Sequence, residues 1–311
     1  MSDLAPIILF VYNRLDHTIK TITELQKNKL ANESELFIFS DAPKNNNAYL
    51  GVEKVRNFIK TVDGFKKITI IERQKNYGLA ASIIDGVSKI VNDFGKIIVL
   101  EDDLVTSPYF LNYMNDGLNI YENDDQVACI HGYIYPIKNT SKHSFFIKGA
   151  DCWGWATWKD SWKIFESDSN KLLAEVQKTK SQREINFNNT YPYVKMLKNQ
   201  IDGKIDSWAI RWYVSTFLQN KLTLYPGKSF VFNTGMDDSG IHNSSSKKFD
   251  VKLAESYDTI SRIEIVEDIE QRKKFEDLFG SYAFGIIPKI LSKIQRVIYN
   301  LFALILKKNE I

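Results

Sequence analysis

Residues 97–110 read Ile97-Ile98-Val99-Leu100-Glu101-Asp102-Asp103-Leu104-Val105-Thr106-Ser107-Pro108-Tyr109-Phe110, and this stretch decides the fold. The opening run of apolar residues suits a strand covered on both faces of a sheet. Three carboxylates follow without a break, and a helix is predicted from about Pro108 to Tyr121. Like charges crowded at the mouth of a buried strand repel one another. A cation offsets that repulsion, and a hard divalent ion shared between carboxylate and phosphate oxygens is the natural one. The plainer alternative is a solvated acidic turn that caps the helix from about Ser107.

Upstream of this stretch, strand and helix patterns alternate. Strands are predicted at Pro6–Tyr12, Glu35–Ser40, Ile68–Glu72 and Lys96–Leu100, and helices at Leu15–Leu25, Leu50–Ile59 and Leu79–Val91. Such alternation implies an α/β fold, a mostly parallel sheet with helices on both faces. Ligands of these sheets bind outside the carboxyl ends of the strands. Asn13-Arg14, Asp41 and Glu101–Asp103 all directly follow strands, so the fold gathers them on one rim.

The second half is less regular. Strands are expected at Val127–Tyr133 and Ser144–Ile147, then a Trp-rich turn at Asp151–Trp162 and a polar stretch to about Asn189. A helix follows at Asp206–Leu218 and a short strand pair at Leu222–Val231. In Cys152-Trp153-Gly154-Trp155, aromatic faces suit the C–H faces of sugars, and glycine admits a ligand close to the backbone. Packing in the core is the competing reading. Trp153 and Trp155 fall on opposite sides of an extended segment, so only one is expected to face a site.

The net charge of +3 sits in the tail. Residues 285–311 hold Lys289, Lys293, Arg296, Lys307 and Lys308 against Glu310, and the remaining chain is close to neutral. No basic stripe crosses the body, which argues against nucleic-acid binding. Ile286, Ile287, Ile290, Leu291, Ile294, Val297, Ile298 and Leu301 recur at helical spacing, which predicts a basic amphipathic helix. Such a helix suits an anionic membrane surface, or packing on protein. Cys129 and Cys152 form neither a metal-type spacing nor a disulfide framework, and Met1–Pro6 carries no export-signal pattern. The expectation is a cytoplasmic protein, peripheral at the inner face of the cytoplasmic membrane.

Four features together resemble glycosyltransferases of the GT-A fold, above all bacterial family 2-type enzymes, over roughly residues 5–245. They are the first strand with Asn13-Arg14, Asp41 after the second strand, Asn76-Tyr77-Gly78-Leu79-Ala80 before a helix, and Glu101-Asp102-Asp103 with its loop and helix. The last is also similar to N-acetylglucosaminyltransferase I. The resemblance implies a Rossmann-like GT-A domain at 1–250, with a nucleotide-sugar half (1–125) and an acceptor half (126–250). A helical extension (251–281) and the amphipathic helix (282–311) would follow. It implies that Asp103 ligates Mn²⁺ or Mg²⁺ and that His242, in a late turn-rich loop, completes the metal site. Asn13, Arg14, Asp41, Gly78, Glu101, Asp102, Trp153, Gly154 and Trp155 would contact the donor, with Asp41 on the base. Asp206, opening its helix, would be the general base of an inverting transfer, with Asp151 as the fallback and N-capping as the competing job for Asp206. The expected partners are a nucleotide-sugar donor, most simply a UDP-sugar, and a glycan or lipid-linked acceptor. Two rivals are a sugar nucleotidyltransferase, disfavoured because Tyr12–Asp16 has no glycine, and a non-catalytic glycan-binding protein on the same fold.

Overall fold

The computed structural model describes residues 4–237 and 247–284. His242 and the amphipathic tail lie outside the described residues.

The first four strands are β1 (Ile7–Val11), β2 (Glu35–Ser40), β3 (Lys67–Glu72) and β4 (Lys96–Glu101), with helices α1 (Leu15–Gln26), α2 (Asn46–Ile59) and α3 (Leu79–Phe94) between them. All four strands are parallel, in the spatial order β3-β2-β1-β4. Alternation along β1 explains the layering. Ile7, Leu9 and Val11 pack with Ile22 and Leu25 of α1 and Val55 and Ile59 of α2, whereas Ile8 and Phe10 pack with Ile83 and Val87 of α3 on the other face. The chain winds outward from β1 to β3 and then jumps back to β4. That jump puts α3 on the opposite face and creates a switch point between β1 and β4, where a crevice opens at the strand ends.

Next come β5 (Leu104–Thr106), α4 (Phe110–Ile120), β6 (Val127–His131), β7 (Phe145–Lys148) and β8 (Trp155–Trp158). Helices α5 (Lys159–Trp162), α6 (Ser169–Lys178), α7 (Gln182–Ile185), α8 (Tyr193–Ile201) and α9 (Trp208–Leu218) lead to β9 (Leu222–Tyr225) and β10 (Val231–Asn233), and α10 (Ile269–Phe284) follows. The main sheet has eight strands in the order β3-β2-β1-β4-β8-β6-β9-β7. Strands β7 and β8 run against the other six.

Two expectations fail here. The Trp-rich segment is a central strand from Trp155 to Trp158, not a turn, because all four of its residues are buried between β4 and β6. The polar stretch before Asn189 is helical in α6 and α7. Asp168 caps α6 by accepting from the amides of Asn170 and Lys171, and the buried Leu172 and Val176 hold it to the body. The extension after residue 250 begins as an irregular strap. Ala254 bonds to Ser229 and Ser107, Tyr257 donates to Asp116, and Arg262 grips Asp124 with two nitrogens at 2.7 Å. The strap then enters α10, whose Phe275 and Phe279 close a third apolar cluster. No helix among the described residues is long and apolar enough to cross a membrane.

Candidate active site

Two chain segments meet on the rim at the β1–β4 switch point. From β4 come Glu101, Asp102 and Asp103, and from the β1–α1 turn come Asn13 and Arg14. Asn13 is exposed. Arg14 reaches across, and its Nη2 donates both to Asp102 Oδ1 and, at 2.8 Å, to Asp103 Oδ2. Asp102 is nearly buried and is fixed through its backbone oxygen, which accepts from the Thr21 hydroxyl at 2.8 Å. Helix α1 starts at Leu15 with no side-chain cap, so its positive end lies at the same rim.

The electrostatics show how few cations attend these carboxylates. Burial, reinforced by Asp103 and Asp102, pushes Glu101 up to about 8, with Arg14 opposing the shift. Burial also raises Asp102, although Arg14 pulls the other way. Arg14 itself is raised: burial alone would lower it, but the two aspartates hold its charge. One guanidinium thus serves two aspartates.

A distant segment lies over Asp103. Strand β10 pairs antiparallel with β5, and Thr234 donates both its amide (2.8 Å) and its hydroxyl (3.0 Å) to the Asp103 carbonyl. Gly235 comes so close that an added Cβ would lie 2.2 Å from Asp103 Oδ2, so a side chain there would collide with the carboxylate. Past it, Asp237 meets His17 of α1 at 3.1 Å. Sequence reading assigned His17 no role and gave Gly235 none. The β5–β10 pairing that places them joins short segments far apart in sequence, without a local signal.

Asp41 does a different job from the one expected. Its oxygens accept from the amides of Ala42, Tyr77 and Gly78 and from the side chain of Asn76, at 2.9–3.1 Å. With four donors on one nearly buried carboxylate, its lone pairs are committed to holding the 76–78 loop and are not presented to a base. Gly78 therefore has its rim position set by Asp41. Sequence spacing showed that both lie after strands, but not that one clamps the other.

The second half of the chain adds residues beside the acidic strand end. Strand β8 runs antiparallel to β4 with Trp155 opposite Val99, which brings residues 151–154 beside the acidic strand end. Trp153 is partly exposed, edge-on to Tyr133 with ring centroids 4.8 Å apart, and its amide donates to buried His131 Nε2. Trp155 is 1% exposed and stacks on Trp208 on the opposite sheet face, so its expected donor contact is corrected: it is core. Gly154 is also buried. Its φ of +68° and a would-be Cβ 2.6 Å from Val231 Cγ2 make glycine necessary for packing, not for close approach of a ligand.

Asp206 precedes α9, whose cap is Ser207, accepting from the Ile210 amide. Its side chain is 62% exposed, 3.5 Å from Arg211, and 3.8 Å from where a Cβ on Gly78 would be. The capping explanation for Asp206 is thus removed, and the carboxylate borders the loop that Asp41 holds. Asp151 has less freedom. Its Oδ2 accepts from the Tyr135 and Tyr225 hydroxyls at 2.7 and 3.2 Å, and its Oδ1 accepts from the Cys152 amide.

The glycosyl transferase family 2 profile matches residues 7–193, which include β1, the loop held by Asp41, the acidic strand end and the Trp-rich strand. The chain belongs to glycosyl transferase family 2. Its mixed α/β sheet with helices on both faces is consistent with the GT-A fold. Among solved structures, the transferase is similar to a mannosyltransferase from Pyrobaculum calidifontis in complex with GDP-Man and Mn²⁺ (12% identity, TM-score 0.31), covering 42% of this chain and 35% of that one. It is also similar to S. aureus TarS (10%, TM-score 0.39; 75% and 37% covered) and to a UDP-glucose pyrophosphorylase complexed with UDP-glucose (12%, TM-score 0.36; 71% and 90% covered). The transferase thus spans about a third of the length of the first two. No curated protein sequence matches it.

No three His, Cys, Asp or Glu side chains converge on a common point among the described residues, so there is no preformed cage. Mg²⁺-like ions need none: they are held by one or two carboxylates together with substrate phosphates and water. Asp103, with Asp102 behind it, fits that requirement.

Proposed function

We propose that the transferase moves a sugar, with inversion, from a nucleoside diphosphate donor to a glycan or lipid-linked acceptor, assisted by Mn²⁺ or Mg²⁺. The carrying observation is the convergence of Arg14, Asp102 and Asp103 on one rim, with Trp153 beside the end of β4 and Asp206 bordering the 76–78 loop. A bound divalent ion would be held by Asp103 and the diphosphate, and would supply neutralisation of charge developing on the leaving phosphate. Arg14 and the amino end of α1 favour the diphosphate from the other side. Trp153 offers an aromatic face to the sugar. Asp206, exposed and free of capping duty, takes the proton from the acceptor hydroxyl, as inverting displacement needs. Asp151, with three donors on its oxygens, is the weaker candidate.

The local likeness to N-acetylglucosaminyltransferase I is part of this reading, and a UDP-sugar is the simplest donor. The proposed site of action is the inner face of the cytoplasmic membrane, supported by the apolar and basic spacing of residues 286–311.

The test is transfer and hydrolysis of UDP- and GDP-sugars with Mn²⁺ or Mg²⁺, in wild type and in Asp103→Asn. Metal-dependent turnover that Asp103→Asn abolishes is expected. Turnover undiminished by EDTA, or full activity in the variant, refutes the proposal.

A further inference from the structure

We infer that Arg14 is a resident counter-cation standing in the divalent ion's place, so that ion and nucleoside diphosphate bind as one coupled unit. This rests on the donor-site reading above. Arginine ordinarily meets a carboxylate with two nitrogens, one per oxygen. Here a single nitrogen, Nη2, spans one oxygen from each of two carboxylates, Asp102 Oδ1 and Asp103 Oδ2. A cation shared by the two aspartates would take up that bridging position.

The shared position makes the coupling necessary. Arg14 Nη2 already lies on one oxygen of each aspartate. A divalent ion bridging the same two oxygens would coincide with that nitrogen and face the guanidinium at close range in a largely buried site, where side-chain exposures are 21%, 6% and 18% for Arg14, Asp102 and Asp103. The ion alone must therefore displace Arg14 and leave it without a partner. When a diphosphate arrives with the ion, the displaced guanidinium gains phosphate oxygens in exchange. Each ligand thus improves the other's binding, which is reciprocal coupling between two ligands.

Arg14 is placed to make this exchange. It precedes α1 with φ −103°, outside the helix, and its carbonyl is pinned by the Thr18 amide and hydroxyl. The side chain can swing while the backbone stays fixed. Asp102 cannot follow it, because its backbone is tied to Thr21.

Isothermal titration of Mn²⁺ into wild type, Arg14→Met and Arg14→Lys, each alone and with saturating UDP or GDP, tests the inference. In wild type, nucleotide should tighten Mn²⁺ by at least about tenfold, equivalent to 1.4 kcal/mol. Arg14→Met should bind Mn²⁺ tightly without nucleotide and gain little from it, and Arg14→Lys, which keeps the charge, should follow wild type. If wild type shows the nucleotide effect but Arg14→Met binds Mn²⁺ no better than wild type, Arg14 does not compete with the ion. The inference then falls and the donor-site reading stands. If no form binds Mn²⁺ with or without nucleotide, both fall. Should Arg14→Met melt early, the wild-type Arg14 Nε–H NMR signal decides. It should shift with Mg²⁺ plus UDP or GDP and stay put with Mg²⁺ alone, and a signal unmoved by either refutes the exchange.

Discussion

Asp41→Ala removes the acceptor around which the 76–78 loop is built. Four donors lose their partner: the amides of Ala42, Tyr77 and Gly78 and the Asn76 side chain. A hydrogen bond to a charged group contributes about 1.5–3 kcal/mol net when its partner is buried. The loop lies at the rim, so water replaces part of each lost bond, and a total near 3 kcal/mol is the reasonable figure. For a domain of this size that lowers Tm by roughly 6–12 °C. The Tyr77 and Gly78 amides should exchange hydrogen far faster, while amides of β1, buried in the sheet, keep their protection. Donor binding weakens as a secondary effect, because Gly78 and Asp206 lose their registration. Thermal melts with amide exchange on both forms provide the measurement. If Tm and loop exchange are unchanged while donor affinity alone collapses, Asp41 contacts the base directly and the clamp is refuted.

Asp206→Asn should cut turnover by ~10²–10⁴ with donor affinity and Tm little changed, since Ser207 keeps the α9 cap; steady-state kinetics in which Asp151→Asn is instead the damaging change would move the base to Asp151. Gly154→Ala should destabilise by about 2–4 kcal/mol, from a positive φ and a Cβ forced against Val231, and an unchanged urea midpoint would contradict the packing described. His131 is held below its ordinary pKa of 6.5 by burial, Asp151 opposing, so it stays neutral in the fold while the unfolded chain takes up a proton. Stability should therefore be lost as pH falls below about 6.5, by up to ~1.4 kcal/mol per pH unit from this group. Urea melts of His131→Gln between pH 7 and 5 should show a shallower loss, and equal slopes would exclude His131 as the source.

The parallel half was legible because β1, β2 and β4 are covered on both faces, so their apolar runs are unbroken and the residues after them fall on one rim. Legibility fell where the sheet became mixed. Strand β8 hid behind Gly154 and its tryptophans, which read as a turn because nothing local reveals that β4 and β6 flank it. Helix α6 was missed because Leu172 and Val176 are its chief buried apolar residues in an otherwise polar run. Among site residues, Arg14 and the acidic cluster were visible as types in position. Their mutual contact was not, since it joins residues 88 and 89 positions apart. The inward role of Asp41 and the core placement of Trp155 turn on side-chain direction, which for Asp41 depends on a loop 35 residues downstream and for Trp155 on the register of β8 against β4.

The ribbon formed by β5 and β10 bears on the order in which the protein can mature. Its two strands, Leu104–Thr106 and Val231–Asn233, are three residues each, and closing the long loop between them carries an entropy cost that only later contacts recover. A chain emerging from the ribosome can fold β1 to β4 early, because those contacts are near in sequence. It cannot set Thr234 and Gly235 over Asp103 until residue 235 is free, and Asp206 also lies beyond the residues matched by the family profile. The four parallel strands can therefore form first, and the proposed site stays incomplete through most of synthesis. A truncation near residue 193 would retain the family's recognisable sequence while lacking both the proposed base and the cover over the acidic pair.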